Sequence, residues 1–127
     1  MTGDMPNVQV DASSPDAFIR SITPAAQWVQ DKTGIPAAAM IGMAANETGY
    51  GKAAPGNNLF GIKGSGPAGS TTSGTWEDYG NGPVQITDQF RRYDNATQSF
   101  QDFVNFLRDN PRYQGVMNLV DQGQARR

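Results

Sequence analysis

The sequence predicts a single α+β domain that is mostly helical and carries one small β-hairpin. Apolar residues recur at i, i+3, i+4 and i+7 in several segments, which is typical of helices with one buried face. Gly80-Asn81-Gly82 separates two short runs that contain aromatic and β-branched residues, which is typical of a hairpin. With 127 residues the chain can bury one modest core. Residues 1–13 are polar and aperiodic, so we expect a flexible segment there and a domain over residues 14–127.

Two helices are expected before Gly34. Ser14 followed by Pro15 predicts an N-cap with proline in the first turn. The core face of this first helix would be formed by Phe18, Ile19 and Ile22. Pro24 lacks an amide N–H, so it should open a second helix that runs to about Lys32 and is closed by Gly34. The apolar face of the second helix would be formed by Ala25, Trp28 and Val29.

The helix that opens at Pro36 carries a carboxylic acid at its end. One face of this helix would be formed by Met40, Met43, Ala44 and Glu47. Gly49 and Gly51 then stop the helix. Apolar neighbours disfavour the charged form of a carboxyl group, which would suit Glu47 to work as a general acid. The alternative is that Glu47 is the last exposed residue of a frayed helix.

The middle of the chain is expected to form a loop and then the hairpin. Residues 64–74 have low complexity and predict a flexible loop. Glu77 lies on the first arm of the hairpin, between Trp76 and Tyr79. Strand alternation would direct Glu77 and Tyr79 to one face and Trp76 and Asp78 to the other. These aromatic residues would either pack the hairpin onto the helices or offer a surface on which sugar rings stack.

Two further helices are expected after the hairpin. Asn95 is a plausible N-cap with Gln98 as its capping-box partner. The apolar stripe of this helix, which indicates core, is formed by Phe100, Phe103, Val104 and Leu107. Pro111 ends the helix. The last helix carries Tyr113, Val116 and Met117.

Composition excludes several kinds of catalytic site. Cysteine and histidine are absent, which excludes thiol nucleophiles, Ser-His-Asp catalysis and zinc sites built on these residues. Carboxylate pairs are therefore the leading candidates for catalysis. The chain has ten aspartates and two glutamates, Glu47 and Glu77, and both glutamates lie beside glycine-rich or aromatic turns. A net charge of −2 gives no support for nucleic-acid binding, and no apolar run is long enough to span a membrane.

Residues 45–64 contain a recognisable sequence motif. Residues 45–64, ANETGYGKAAPGNNLFGIKG, resemble the signature of glycoside hydrolase family 73, the bacterial β-N-acetylglucosaminidases that cut peptidoglycan. The family often has tryptophan where this chain has Tyr50. The resemblance continues through the hairpin, FRRYDNATQSFQDFVNFL and NPRYQGV, and covers roughly residues 14–120. The chain is also similar to the wall-cutting domain of flagellar rod-assembly proteins and to phage tail-associated lysins.

The resemblance implies a lysozyme-like domain with two catalytic carboxylates. Glu47 would be the catalytic acid, and Glu77 matches the second acidic residue that many members carry on the hairpin. Glu77 would either activate water as a general base, with the carboxyls about 6.5–9.5 Å apart, or assist while the acetamido group of the substrate attacks. Family members usually continue past the NPRY segment to a further helix and a tyrosine of the sugar site. This chain is expected to lack that segment.

The expected function is hydrolysis of the β-1,4 bond between N-acetylglucosamine and N-acetylmuramic acid, without a cofactor or metal. The residues expected to contact the glycan are Tyr50, Asn57, Asn58, Trp76, Tyr79 and Tyr93. One of the two asparagines is expected to cap the turn after Pro55-Gly56 instead, and Phe60 is expected in the core. The alternatives are an N-acetylmuramidase on the same fold and a non-catalytic module that binds wall glycan in a tail or flagellar assembly.

The expected partner is the glycan strand of peptidoglycan, and no nucleic acid or membrane insertion is expected. The chain would act at the bacterial cell wall, in the periplasm, outside the cell or on a virion, as part of a larger tail, flagellar or cell-wall protein. The N-terminus has neither the basic nor the apolar region of a signal peptide, so none is expected in this chain.

Overall fold

The computed structural model describes residues 4–125, which form four α-helices and one antiparallel hairpin. The helices are α1 (Pro15–Thr33), α2 (Ala37–Thr48), α3 (Ala96–Asp109) and α4 (Gln114–Ala125). The strands, β1 (Ser70–Asp78) and β2 (Pro83–Arg91), lie between α2 and α3 in the chain. Short 3₁₀ turns cover Pro55–Asn57 and Pro111–Tyr113. The predicted class, a mostly helical α+β domain with one hairpin, is confirmed.

The core lies where α1 packs against α2 and α3. Its large apolar side chains, each less than 3% exposed, are Phe18, Ile22, Val29, Met40, Leu59, Phe100, Val104 and Met117. Burial of one such side chain contributes about 1.5–3 kcal/mol to the free energy of folding. Leu59 and Ile62 belong to the same core as Met40 and Ala44, so this packing connects α2 to the loop that precedes the hairpin.

Helix α1 is continuous, so the prediction that Pro24 opens a second helix is wrong. Its ends agree with the sequence, because Ser14 Oγ accepts a hydrogen bond from the Ala17 amide and Gly34 closes the helix at φ 82°. Pro24 removes the hydrogen bond to the Arg20 carbonyl, but both residues lie on the exposed face, where water can bond that carbonyl. Ile19 also departs from the prediction, since it is 38% exposed rather than part of the core.

The hairpin is longer than the sequence indicated. Nine residue pairs connect its arms, from Ser70 opposite Arg91 to Asp78 opposite Pro83, and the turn contains the predicted Gly80-Asn81-Gly82. Residues 70–74, which were predicted to be loop, belong to β1. The preceding segment is tied to the second arm and its end, since the Gly64 amide donates to the Gln89 carbonyl at 2.9 Å and the Ala68 amide to the Arg92 carbonyl at 3.0 Å.

The described part of the N-terminal segment, residues 4–13, has no helix or strand but lies on the core. The Val8 carbonyl accepts a hydrogen bond from the Ala96 amide at 2.8 Å, and the Pro6 carbonyl accepts one from Thr97 Oγ1 at 2.6 Å. The partly buried side chains that pack against the core here are Met5, Val8 and Val10. This segment therefore covers the start of α3, and its flexibility stays a prediction.

Helix α3 begins as predicted, with one change in the capping contact. Asn95 Oδ1 accepts a hydrogen bond from the Gln98 amide at 3.0 Å, but Gln98 Oε1 accepts from the Asp94 amide rather than from that of Asn95. Pro111 follows the end of the helix, as predicted. Within residues 4–125 the structure contains no helix with the length and hydropathy that crossing a membrane requires.

Candidate active site

A cleft of about 200 Å³ lies between the end of α2, the loop before the hairpin and one face of the hairpin. Its lining residues are Glu47, Thr48, Ala53, Pro55, Asn58, Gly61, Ser73 and Phe90. Glu47, the predicted catalytic acid, is therefore on the wall of a cleft that the family motif and the hairpin build together. Glu77, the second predicted carboxylate, is not among the residues that line it.

Hydrogen bonds at the end of α2 fix the backbone next to Glu47. Thr48 Oγ1 donates a hydrogen bond to the Ala44 carbonyl at 2.7 Å and accepts one from the Gly51 amide at 2.8 Å. Gly49 closes the helix at φ 60°, as the sequence predicted. Gly51 is required for close packing, because a Cβ at this position would lie 2.7 Å from Cδ1 of Phe18.

The carboxyl group of Glu47 is exposed and unpartnered. Met40 and Ala44 are fully buried, whereas Met43 is 50% exposed and Glu47 is exposed as well. The apolar neighbours that were predicted for the Glu47 carboxyl group are therefore absent. Residues 40, 44 and 48 form the buried face of α2, whereas residues 43 and 47 lie on its exposed side. Within residues 4–125, no group donates a hydrogen bond to Glu47 or forms an ion pair with it.

Gly61 makes room for this carboxyl group on the opposite wall. Its backbone has φ 62°, and a Cβ built on it would lie 2.9 Å from Oε1 of Glu47. Most L-residues are strained at this φ value, and the added atom would also displace the carboxylate. Glycine suits position 61 for two reasons: it adopts this φ value without strain, and it has no Cβ that would contact the Glu47 carboxylate.

Two asparagines hold the loop that carries Gly61. Asn58 is 4% exposed, and its Nδ2 donates to the carbonyls of Ile62 at 2.9 Å and Arg91 at 3.0 Å. Its Oδ1 accepts from the Ile62 amide at 3.2 Å. Asn57 adopts φ 58°, and its Nδ2 donates to the Tyr93 carbonyl at 3.0 Å. Both amides therefore bond the protein's own backbone, the role that the sequence left open for one of them.

We expect Asn58→Ala to destabilise the fold by about 2–4 kcal/mol, because it removes the hydrogen bonds that this buried side chain makes with the backbone of Ile62 and Arg91. The measurement is the free energy of unfolding in urea. Asn105→Ala, at an exposed position on α3, is the matched control and should change it by less than about 0.5 kcal/mol. Equal stability of the two variants would contradict the structural role of Asn58.

The hairpin presents one face to the cleft, and Glu77 lies on that face toward the tip. Ser73 lines the cleft, and Glu77 is four residues farther along β1 on the same side. At about 3.3 Å per residue, Glu77 is about 13 Å beyond Ser73 along the strand. Asp88, directly opposite Ser73, is the hairpin carboxylate nearest to the cleft lining.

Asp88 is a residue that the sequence analysis missed. Its Oδ2 lies 3.0 Å from Nζ of Lys63, and this contact with Asp88 raises the pKa of Lys63 above its usual value. Glu77 adds a smaller effect in the same direction, which places Glu77 within electrostatic range of Lys63. Strand alternation would have found Asp88 once the register of the hairpin was known, since every second residue of β2 shares this face.

The predicted glycan-contacting aromatic residues have different surroundings. Trp76 is 69% exposed and Tyr79 is 72% exposed, so these hairpin residues do not pack onto the helices. Tyr50 is 41% exposed and meets the ring of Phe18 edge-on at 6.2 Å. Phe60 packs against the core as predicted, stacked on the ring of Phe103 at 4.1 Å. Exposed rings of Trp76, Tyr79 and Tyr50 remain available to a glycan.

Tyr93 lies in the interior, which does not support its predicted contact with glycan. It is 2% exposed, and its hydroxyl donates to Oδ2 of Asp102 at 2.5 Å. The same oxygen accepts a hydrogen bond from Nη1 of Arg91 at 2.8 Å, and Nε of Arg91 donates to the Lys63 carbonyl at 3.0 Å. Burial and the contact with Asp102 raise the pKa of Tyr93 far above its usual value. This network joins the base of the hairpin to α3.

Comparison with known proteins agrees with the motif. The model of the glucosaminidase family, described as mannosyl-glycoprotein endo-β-N-acetylglucosaminidase, matches residues 23–127. The peptidoglycan hydrolase FlgJ of Vibrio parahaemolyticus is 38% identical over 112 residues, which cover 82% of this chain and 36% of that protein. A probable N-acetylmuramidase of Lactococcus lactis subsp. lactis is 39% identical over 108 residues, which cover 81% of this chain and 24% of that protein.

Structural comparison leads to the same group of proteins. The catalytic domain of the autolysin Auto from Listeria monocytogenes superposes with a TM-score of 0.70 at 34% identity, covering 82% of this chain and 62% of that one. The chain spans about a third or less of the length of the two curated relatives above. The match over residues 23–127 confirms the resemblance, and the chain belongs to the glucosaminidase family, glycoside hydrolase family 73.

Proposed function

We propose that this chain is a peptidoglycan hydrolase that cleaves the β-1,4 bond between N-acetylglucosamine and N-acetylmuramic acid. The observation that carries the proposal is the free carboxyl group of Glu47 on the wall of the cleft, placed against the backbone of Gly61. Family membership and the hydrolase and autolysin names of the relatives support a glycan substrate. Exposed aromatic rings on the hairpin suit the stacking of sugar rings.

Glu47 would act as the general acid. A glycan that fills the cleft displaces water from around the carboxyl group, which strengthens the interaction of this group with the glycosidic oxygen. The proton then passes to the glycosidic oxygen as the bond from that oxygen to C1 of N-acetylglucosamine breaks. An oxocarbenium-like centre develops at C1, and one water molecule supplies the hydroxyl for C1 and the proton that restores Glu47.

Glu77 would assist from the hairpin. Its place on the face that borders the cleft, but near the tip, suits a carboxylate that orients or stabilises the acetamido group of the substrate. Direct activation of water requires about 6.5–9.5 Å between the two carboxyls, whereas Glu77 lies beyond the residues that line the cleft. The two roles differ in how much activity depends on Glu77.

Glu77→Gln is expected to lower kcat on peptidoglycan by about tenfold, well below the loss expected of a removed general base, which is about 10²–10⁴-fold. The measurement is the release of reducing ends from purified peptidoglycan. Asp78→Asn, the neighbouring carboxylate on the other face of β1, is the matched control. A loss of 10²-fold or more from Glu77→Gln would instead assign water activation to this residue.

The bond that is cut decides between the two enzymatic readings. Purified peptidoglycan is digested with this chain, the new ends are reduced with borohydride, and the reduced sugar is identified by mass spectrometry. Reduced N-acetylglucosamine is expected. Reduced muramic acid would assign the chain to the activity named for the Lactococcus relative, whereas no product from a folded sample would favour a non-catalytic module that binds wall glycan.

A further inference from the structure

A second cavity adjoins the Glu47 cleft and shares Gly61 with it. This cavity has a volume of about 320 Å³. It is lined by Phe60, Gly61, Ile62, Lys63, Phe103 and Phe106. Because Gly61 belongs to both linings, the cavity is within reach of a ligand that occupies the cleft at Glu47.

The wall of the cavity is apolar except at one point. Phe60 and Phe103 form a stacked pair that packs against the core, and Phe106 is 40% exposed at the rim. Of the six lining residues, Lys63 alone carries a polar side chain. A sugar ring has hydroxyl groups around its edge, and this wall would leave most of them without hydrogen bonds. The lining therefore fits a group with small apolar side chains and a negative charge.

Lys63 provides the complementary charge. Its side chain is 61% exposed, and its ammonium group contacts Oδ2 of Asp88 at 3.0 Å. A lysine ammonium has three donors, so this contact leaves capacity for a second carboxylate. Asp88 competes with such a carboxylate for the ammonium group of Lys63. Substitution of either residue should therefore change the affinity for the ligand.

We propose that this cavity binds the short acidic peptide that peptidoglycan carries on its muramic acid residues. Lys63 pairs with a carboxylate of the peptide, and Phe106 contacts its small apolar side chains. The inference rests on the proposed peptidoglycan substrate. If it is correct, the enzyme should prefer glycan that bears peptide. It assigns this wall of the molecule to a different part of the substrate from the sugars at Glu47.

The test is a titration of the ¹⁵N-labelled chain with an N-acetylmuramoyl dipeptide that ends in a free carboxylate. Shifts are expected at the amides of Ile62, Lys63 and Phe106. Lys63→Met should weaken binding by about tenfold through loss of the charged pair. Asp88→Asn should tighten it, because the competing carboxylate is removed. Lys52→Met, an exposed lysine outside the cavity lining, should bind as the unaltered chain does.

The apolar wall is tested in the same titration. Phe106→Ala should weaken binding by roughly fivefold through loss of apolar contact. Leu119→Ala, which removes an exposed apolar side chain of α4 outside the cavity lining, should not weaken it. Equal effects of Phe106→Ala and Leu119→Ala would overturn the assignment, as would weaker binding after Asp88→Asn.

The outcome is separable from that of the proposed function. If the chain cuts glycan but the dipeptide shifts none of these amides, the peptide site is overturned and the proposed function stands. If the dipeptide shifts them and the chain cuts no glycan, the peptide site stands and the proposed function falls. Shifts at these amides that depend on protein concentration alone would show that a second copy covers the cavity, and would also overturn the site.

Discussion

Replacing Glu47 by glutamine is expected to lower kcat on peptidoglycan by about 10²–10⁴-fold. The amide keeps the shape of the side chain but cannot donate the proton that the leaving oxygen needs. Within residues 4–125 Glu47 has no hydrogen bond or ion pair, so its loss should leave the fold intact. The measurement is kcat from reducing ends, together with the melting temperature and retention of the chain on insoluble peptidoglycan.

The control for this variant is Asp31→Asn, which makes the same chemical change at an exposed position on α1. It should keep full activity and the same melting temperature. Full activity in Glu47→Gln would remove the catalytic assignment and leave the cleft as a binding groove. A large drop in melting temperature for Glu47→Gln would instead contradict the free state of its carboxyl group.

Gly61→Ala is expected to lower kcat by about 10²-fold, since a displacement of about 1 Å at a catalytic group has an effect of this size. The added Cβ would lie 2.9 Å from Oε1 of Glu47, so the carboxylate must move away from the wall. The positive φ should also reduce the free energy of unfolding by about 1–2 kcal/mol. The measurements are kcat and urea unfolding on the same preparation.

Gly49→Ala separates these two effects. Gly49 has nearly the same φ, 60°, but a Cβ there meets nothing within 4 Å. It should therefore lose a similar free energy of unfolding while keeping more activity than Gly61→Ala. Equal losses of kcat in the two variants would show that backbone strain near the cleft matters, and that the contact between residue 61 and Glu47 does not.

Local patterns were sufficient for the parts of this protein that depend on neighbouring residues. Ser14, Gly34, Gly49 and Asn95 were predicted at helix ends and are found there, because capping requires a hydrogen bond or a φ value that adjacent residues set. The turn at residues 80–82 was found for the same reason. The family motif likewise indicated Glu47, which lies on the wall of the cleft.

Local patterns failed where the answer depends on contacts between distant segments. Pro24 is tolerated inside α1 because Pro24 and Arg20 lie on the exposed face of the helix, and Ile19 is exposed on a helix whose buried stripe is set by α2 and α3. Tyr93 was predicted to contact the glycan, but it lies in the interior, where its hydroxyl and Arg91 both donate to Asp102. Arg91 and Asp102 lie near Tyr93 in the sequence, but their contact depends on how α3 packs beside the base of the hairpin, which the local pattern does not show.

The second carboxylate shows the same division most clearly. Glu77 is one of two glutamates and lies on the expected arm of the hairpin, whereas Asp88 is one of ten aspartates and has no distinguishing neighbour in the sequence. The register that sets Asp88 opposite Ser73, and the loop that brings Lys63 to it, place this charge beside the cleft. Residue type and local spacing thus located Glu47 at the end of α2. The register of the hairpin decided which charged residues lie near the cleft, because packing of the whole fold sets how strands pair.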